Sequence, residues 1–534
     1  MKKAQKIILW ILGGLVAIIS AVIISADILV SRFVQTEVNT TLAKLPGCEA
    51  QVGAIHLRFF SATASVDSLS FSYRGKPINR HDTIGPGVSI RIRRIEVGRL
   101  FYTMLLSKHI LISDLHIVEP QLELWMDEKH PELCFPQLHD DELKKTDSWK
   151  ACAELMQFHI DDASFRMHSL RTHLDVAVDS CSVALRNLAY DSAFHYCDSV
   201  YRFALRHAAV MLPDGLMRLE TNDICQRDQG ALSLGQTRIT HTMPRKQLGE
   251  IMREPVTWMD MHIESVTTAP FNPIRKALAN DYTLEAANVV VSKMDIFRDA
   301  RFQPKQPFQM PQEPLANIPV TFCLNHADAL IRRIDIAFAS TDINCGELHL
   351  NNIRTAIDSL SNLENSTMRV HGFCPIDKGK AKAEMTMTMN KACDFGTCIH
   401  VENVEANMLN SFVRPLVGIT FDFLIDTLDT RYTGDRVRAN GTFRMLYHGL
   451  KVQVHKEDNI PYKIVKRNAG TFNSFANTMI PKSNPSTVDI QPRAYQVTWK
   501  RDEWKPFPLY MFGPCIDGAV KTMLPGLYVH KQVR

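Results

Sequence analysis

Two short runs hold the residue types of acid–base chemistry. His139-Asp140-Asp141-Glu142 and His159-Ile160-Asp161-Asp162 each set an imidazole beside carboxylates, the pairing a general acid and base would use. Neither has a nucleophile, an oxyanion donor or a partner cluster at a defined spacing, so both read as structure. The first supplies early carboxylates to a surface helix running from Asp141 to Gln157, where negative charge meets the helix amino terminus. The second fits a strand end or bulge. Cys393, Cys398 and His400 are soft metal donors, but a structural zinc site needs four ligands, usually from two close pairs, and no second pair follows. The chain lacks a G-x-S-x-G elbow, H-E-x-x-H, G-x-x-x-x-G-K-[ST] and G-x-G-x-x-G. It is therefore read as a non-enzyme with no catalytic residue, metal, cofactor or nucleotide. Arg91, Arg93 and Arg94 suit either lipid phosphates or a solvated strand face.

The elements that would carry any site begin with a membrane segment. Lys2, Lys3 and Lys6 precede an uncharged stretch from Ile7 to Ala26, and Asp27 is the first acidic residue. Twenty such residues make a helix of about 30 Å, the thickness of the hydrocarbon core, whereas a cleavable signal needs a shorter apolar region. Residues 7–29 are read as an anchor, with Ile7, Trp10, Leu12, Leu15, Ile18, Val22 and Ile24 in lipid. The lysines keep residues 1–6 cytoplasmic and export the rest of the chain. Twelve cysteines spread over 534 residues are too dilute for a disulfide scaffold, and their connectivity stays open.

Beyond the anchor, 45% hydrophobic and 22% charged residues, with 61 basic against 57 acidic side chains, describe a folded protein. They leave no basic surplus for nucleic acid. The dominant pattern is period-two alternation, which makes strands with one buried and one wet face. Leu69, Phe71 and Tyr73 show it, as do Val88, Ile90 and Ile92, then Ile334, Ile336 and Phe338. Met385, Met387 and Met389, then Phe443, Met445 and Tyr447, then Leu450, Val452 and Val454 repeat it. The expected fold is mainly β: an elongated, twisted antiparallel sheet with a few short covering helices. Besides Asp141–Gln157, helical spacing is confined to Val97–Ser107, Gln247–Arg253, Asn272–Ala279, Met408–Leu416 and Ile516–Leu524. A Pro/Gln-rich loop at 302–316 separates β-rich regions at 30–301 and 317–534.

The order of these segments carries a resemblance. The anchor is followed by Val52-Gly53-Ala54-Ile55-His56-Leu57-Arg58, Ala64-Ser65-Val66-Asp67-Ser68-Leu69, Ile92-Arg93-Arg94-Ile95-Glu96-Val97 and Ile110 to Leu124 with Pro120. Near the other end come Tyr432-Thr433-Gly434-Asp435 and Ala439 to Val452. This resembles the AsmA-like family of Gram-negative envelopes, in its Bacteroidetes form, a family that includes TamB-type bridge-like lipid carriers. The resemblance implies a rod-like sheet folded into an open groove, held in the inner membrane and reaching into the periplasm. Its implied role is lipid transport or outer-membrane lipid homeostasis.

A groove of this kind would shield acyl chains. Exposing a 16-carbon tail to water costs on the order of 12 kcal/mol, at roughly 0.8 kcal/mol per methylene. The expected lining is Leu69, Phe71, Tyr73, Ile90, Ile92, Ile112, Ile336, Met385, Met387, Met389, Met445 and Val452. Membrane phospholipid is the expected ligand, with other envelope proteins as further partners. Two other readings stand beside it: an envelope scaffold of the same fold whose inner face is filled by its own side chains, and an exported enzyme.

Overall fold

The computed structural model describes residues 47–58, 63–77, 84–99, 109–127, 129–134, 152–172, 174–190, 201–227, 230–272, 276, 281–318, 320–341, 345–455, 480–487, 489, 491–523 and 525. The anchor residues Ile7, Trp10, Leu12, Leu15, Ile18, Val22 and Ile24, the helical spacing at 100–107 and the acidic run at 139–142 lie outside them. Among the described residues no helix is long and apolar enough to cross a membrane.

The fold is mainly β, with 22 strands among the described residues. It divides into two units, one made of residues up to Arg238 with Pro270–Asn272, the other of Ile239–Ala269 with the residues from Pro273 onward. The Pro/Gln-rich segment 302–316 lies within the second unit.

The first unit contains β1 (Cys48–Val52), β2 (Ile55–Arg58), β3 (Thr63–Val66), β4 (Leu69–Arg74), β5 (Gly87–Val97), β6 (His109–Met126), β7 (Cys152–Ser169), β8 (Asp175–Tyr190), β9 (Tyr201–Met211), β10 (Met217–Arg227) and β11 (Ala231–Leu234). β5 takes β4 and β3 along its length and pairs antiparallel with β6. β6 runs parallel to β7, and β7 to β10 form an antiparallel meander. β12 (Thr237–His241) spans the division.

The second unit contains β13 (Val256–Pro270), β14 (Tyr282–Asp299), β15 (Phe322–Ala339), β16 (Cys345–Ser361), β17 (Thr367–Ile376), β18 (Gly379–Thr388), β19 (Phe395–Glu405), β20 (Ile419–Gly434), β21 (Arg438–Val454) and β22 (Ala494–Lys500). These pair in chain order. All the pairs are antiparallel except the parallel β14–β15. β5 to β10 and β13 to β18 thus share one plan: an antiparallel pair, a parallel pair of 18-residue strands, then an antiparallel meander. The purely antiparallel expectation is corrected at these two parallel pairs. Each needs a long crossover, which the intervals 127–151 and 300–321 supply.

The alternation slips phase where the ladders break. In the first unit the unpaired positions Arg93, Glu119, Asp162, Ser180, Arg206 and Asp223 align across β5 to β10. Four of them, Glu119, Asp162, Ser180 and Asp223, have positive φ. Apolar residues flanking this row are three apart, as in Ile92 to Ile95, and the local kink returns them to one face. Leu69, Ile92, Ile95, Ile117 and Ile160 accordingly join a single cluster with Val52, Val66 and Leu115. The expected bulge at His159–Asp162 is part of this row.

Among the described residues four helices lie against the sheet: α1 (Arg245–Met252), α2 (Gln312–Ala316), α3 (Asn410–Val417) and α4 (Phe507–Met523). Three expectations change. Cys152–Gln157 opens β7, so the predicted Asp141–Gln157 helix does not extend through it; pairing with β6 and β8 outweighs its local helical spacing. Residues Ala406–Leu409 form a 3-10 turn leading into α3. The helix expected from Ile516 begins at Phe507 and passes through Pro514. Packing against the sheet outweighs the hydrogen bond Pro514 removes.

Candidate functional site: an apolar sheet face left partly uncovered

Side chains at paired positions share a face, so the registers define which residues meet. In the first unit one row runs Tyr73, Val88, Leu124, Met167, Val176, Val210 and Leu219, and the next runs Phe71, Ile90, Leu122, Phe165, Val178 and Ala208. A 3-10 turn at Pro131–Cys134 sets Cys134 against Val88, Phe71, Tyr73 and Leu122. Most of this apolar face is half-buried.

In the second unit the corresponding rows are Val289, Ala329, Thr355, Gly372, Ala383 and Ile399, flanked by Ala287, Ala327, Ile357, Val370 and Met385. Helices close parts of this face. α3 brings Phe412 to 6.3 Å from Phe338. Met310, just ahead of α2, and Tyr510 and Phe507 of α4 pack over Met368, Met387, Phe395 and Tyr432. Cys515, Ala519 and Met523 of α4 cover Phe443, Met445 and Val497. Gly513 and Gly518 make the close seat possible. A Cβ at Gly513 would lie 2.4 Å from the Trp499 ring nitrogen, and one at Gly518 2.2 Å from the Phe443 ring.

Between these covers a hollow of about 700 Å³ lies across β14 to β18, lined by Val289, Ala329, Thr355, Gly372, Ala383 and their strand neighbours. Its surface is mostly carbon, with Asp328, Arg354, His371, Lys382 and Glu384 also bordering it. Among the described residues, the space directly above Gly372 is open. A Cβ built there would meet a single atom within 4 Å, the Ala383 carbonyl oxygen at 3.7 Å.

The twelve expected lining residues fall into two groups. Leu69, Phe71, Tyr73, Ile90 and Ile92 are half-buried on the first unit's apolar face, and Ile112 is buried in its cluster. In the second unit Ile336 and Met385 are half-buried, while Met387, Met389, Met445 and Val452 are buried. Met387, Met445 and Val452 belong to clusters that α4 helps close. The hollow itself is framed by small residues that an inspection for large apolar side chains passes over. The available signal was small residues, Ala329, Gly372 and Ala383, at facing positions of β15, β17 and β18.

The opposite face is charged, and its histidines are held by carboxylates. His116 bonds Asp161 at 2.6 Å, and His159 lies 3.8 Å from Asp114. His326 bonds Asp358 at 2.7 Å and Asp328 at 3.1 Å, and His349 bonds Asp335 at 2.6 Å. His400 bonds Glu402 and Asp429, each at 2.6 Å. Hydrogen bonds to Asp358 and Asp328 raise the pKa of His326, and those to Glu402 and Asp429 raise that of His400. His400 holds Glu402 down to about 2 with help from Lys380. His400 is thus an ion-pair residue and is not gathered with the two cysteines: Cys393 is buried beside Met310 and Phe395, whereas Cys398 faces Arg431. Among the described residues no group of three or more His, Cys, Asp or Glu side chains is arranged to hold a metal ion. Arg93 pairs with Glu119 at 3.1 Å and Arg94 with Glu96 at 3.0 Å, the arrangement of a solvated face.

No known protein family matches this chain, and neither a curated protein nor a solved structure does.

Proposed function

We propose that this chain is an envelope protein that binds lipid, holding acyl chains against the apolar face of its sheet. The observation that carries the reading is the uncovered hollow in β14 to β18. A carbon-lined recess of about 700 Å³ has the size and character of a small-molecule site. Water in it forfeits hydrogen bonds that an acyl chain does not need. Ordinary sheet cores are closed by a second layer, and among the described residues helices close the neighbouring regions but not this one. The uncharged segment 7–26 supports an inner-membrane anchor with the body in the periplasm, and the AsmA-like order of segments supports a role in outer-membrane lipid homeostasis. The scaffold reading would require the recess to stay empty of ligand.

Gly372→Phe tests the reading. The added ring enters open space at a position whose backbone accepts side chains, and it fills the recess from within. Full-length protein is purified, extracted and analysed by mass spectrometry for bound lipid. Near-stoichiometric phospholipid or fatty acid on the native chain, reduced at least about tenfold by Gly372→Phe at unchanged thermal stability, is the expected result. A lipid-free native protein that also takes up no added lipid would overturn the proposal.

A further inference from the structure

Helix α4 is apolar on both sides. Its inward side chains cover β20 to β22, and Tyr510 donates a hydrogen bond to the Asp435 carbonyl at 2.9 Å. Its outward side presents Leu509, Phe512 and Ile516, exposed by 42%, 44% and 51%, with Trp504 exposed by 52% just ahead of the helix. Leu509, Phe512 and Ile516 fall on one stripe, being three and four residues apart. The only charged residues between Phe507 and Met523 are Asp517 and Lys521. These lie 2.6 Å from each other with their side chains mostly buried, so the outer stripe has no charge of its own. A helix that covers a sheet in water ordinarily turns a polar stripe outward.

Area and charge indicate what covers this stripe. The four exposed side chains offer roughly 400 Å², about half the ~800 Å² each partner buries in a stable protein pair. Such a patch is small for a protein partner and ample for insertion at a bilayer surface, where Trp and Phe gain at headgroup depth. The surrounding sequence is basic. Within residues 494–534 Lys505 and Lys521 are paired with Asp502 and Asp517, and the surplus of three positive charges comes from Lys500 and Arg501 beside the helix, with Lys531 and Arg534 further along the sequence, against Glu503. We propose that the outward stripe of α4 seats on a lipid bilayer containing anionic headgroups, a contact independent of the β14–β18 hollow.

The test uses full-length protein in vesicles of phosphatidylcholine and phosphatidylglycerol, with a benzophenone side chain replacing Ile516 or, as a control, exposed Lys378. The expected result is a lipid adduct at position 516 at least about fivefold above that at 378, reduced about tenfold by Phe512→Glu or by omitting phosphatidylglycerol. Gly372→Phe leaves it unchanged. A protein–protein adduct at 516 would instead identify a second chain as the occupant, and equal lipid yields at the two positions, or none, would equally overturn the proposal. Phe512→Glu points away from Tyr510 and Gly513, so circular dichroism should show an unchanged fold.

Discussion

Asp299 has no exposed surface, and Arg301 holds it through a two-pronged contact of 2.9 and 2.7 Å. Asp127 is equally buried against Arg171 in the first unit. Removing one partner of a buried pair leaves the other charge uncompensated, so Arg301→Ala is expected to cost about 3–5 kcal/mol in denaturant unfolding. A loss below about 1 kcal/mol would show that water reaches Asp299 once the guanidinium is gone. The two kinds of ion pair titrate in opposite directions. Asp127 is depressed to about 2, chiefly by its hydrogen bond from Arg171. Its contribution is complete above pH about 4 and disappears as pH falls toward 2. His326 and His400 are raised above 6.5 by their carboxylates, so their contribution is complete below 6.5 and disappears as pH rises through the folded values. Histidine NMR should place the His400 midpoint above 6.5 and bring it down in Asp429→Asn. The distant partners, Arg171 for Asp127, Asp358 for His326 and Asp429 for His400, were not legible in the sequence, because folding brings together residues tens of positions apart.

At the scale of elements, alternation announced the strands but not where it would slip. Ile90 and Ile92 continue at Ile95, Val178 continues at Cys181, and Leu205 continues at Ala208; each three-residue step marks a ladder break that keeps one face apolar. A sequence read strictly in twos loses the strand at that point. This is why β5 extends beyond its recognisable segment, Val88 to Ile92, as far as Val97. Asp162 has a φ of 56°, which favours Gly and penalises β-branched residues. Asp162→Gly should therefore be close to neutral, and Asp162→Val should cost about 1–2 kcal/mol by thermal unfolding. Helix α4 was legible only from Ile516 onward, because Pro514 reads as a stop; Gly513 lies just before it. Both are tolerated where the helix lies flat on Trp499. Gly518→Ala, whose new methyl would collide with Phe443, is expected to destabilise by about 1–3 kcal/mol and to expose α4 to proteolysis.

Across the whole molecule, the mainly β character was plain from composition and alternation, whereas the shared strand plan of the two units was not. That plan resides in strand lengths and pairing directions, which impose no common residue pattern. The apolar faces were also foreseeable as faces. Which part of them stays uncovered depends on where α3, α4 and the segment around Met310 come to rest, and tertiary packing determines that. The most direct measurement uses a photoreactive palmitate analogue, kept below its micellar concentration so that no bilayer is present. Adducts are then mapped by peptide mass spectrometry on the full chain. Labelling concentrated in β14 to β18, at Ala329, Thr355 and Ala383, and abolished in Gly372→Phe is the predicted result. Labelling scattered over the surface and indifferent to that substitution would contradict a lipid site in the hollow.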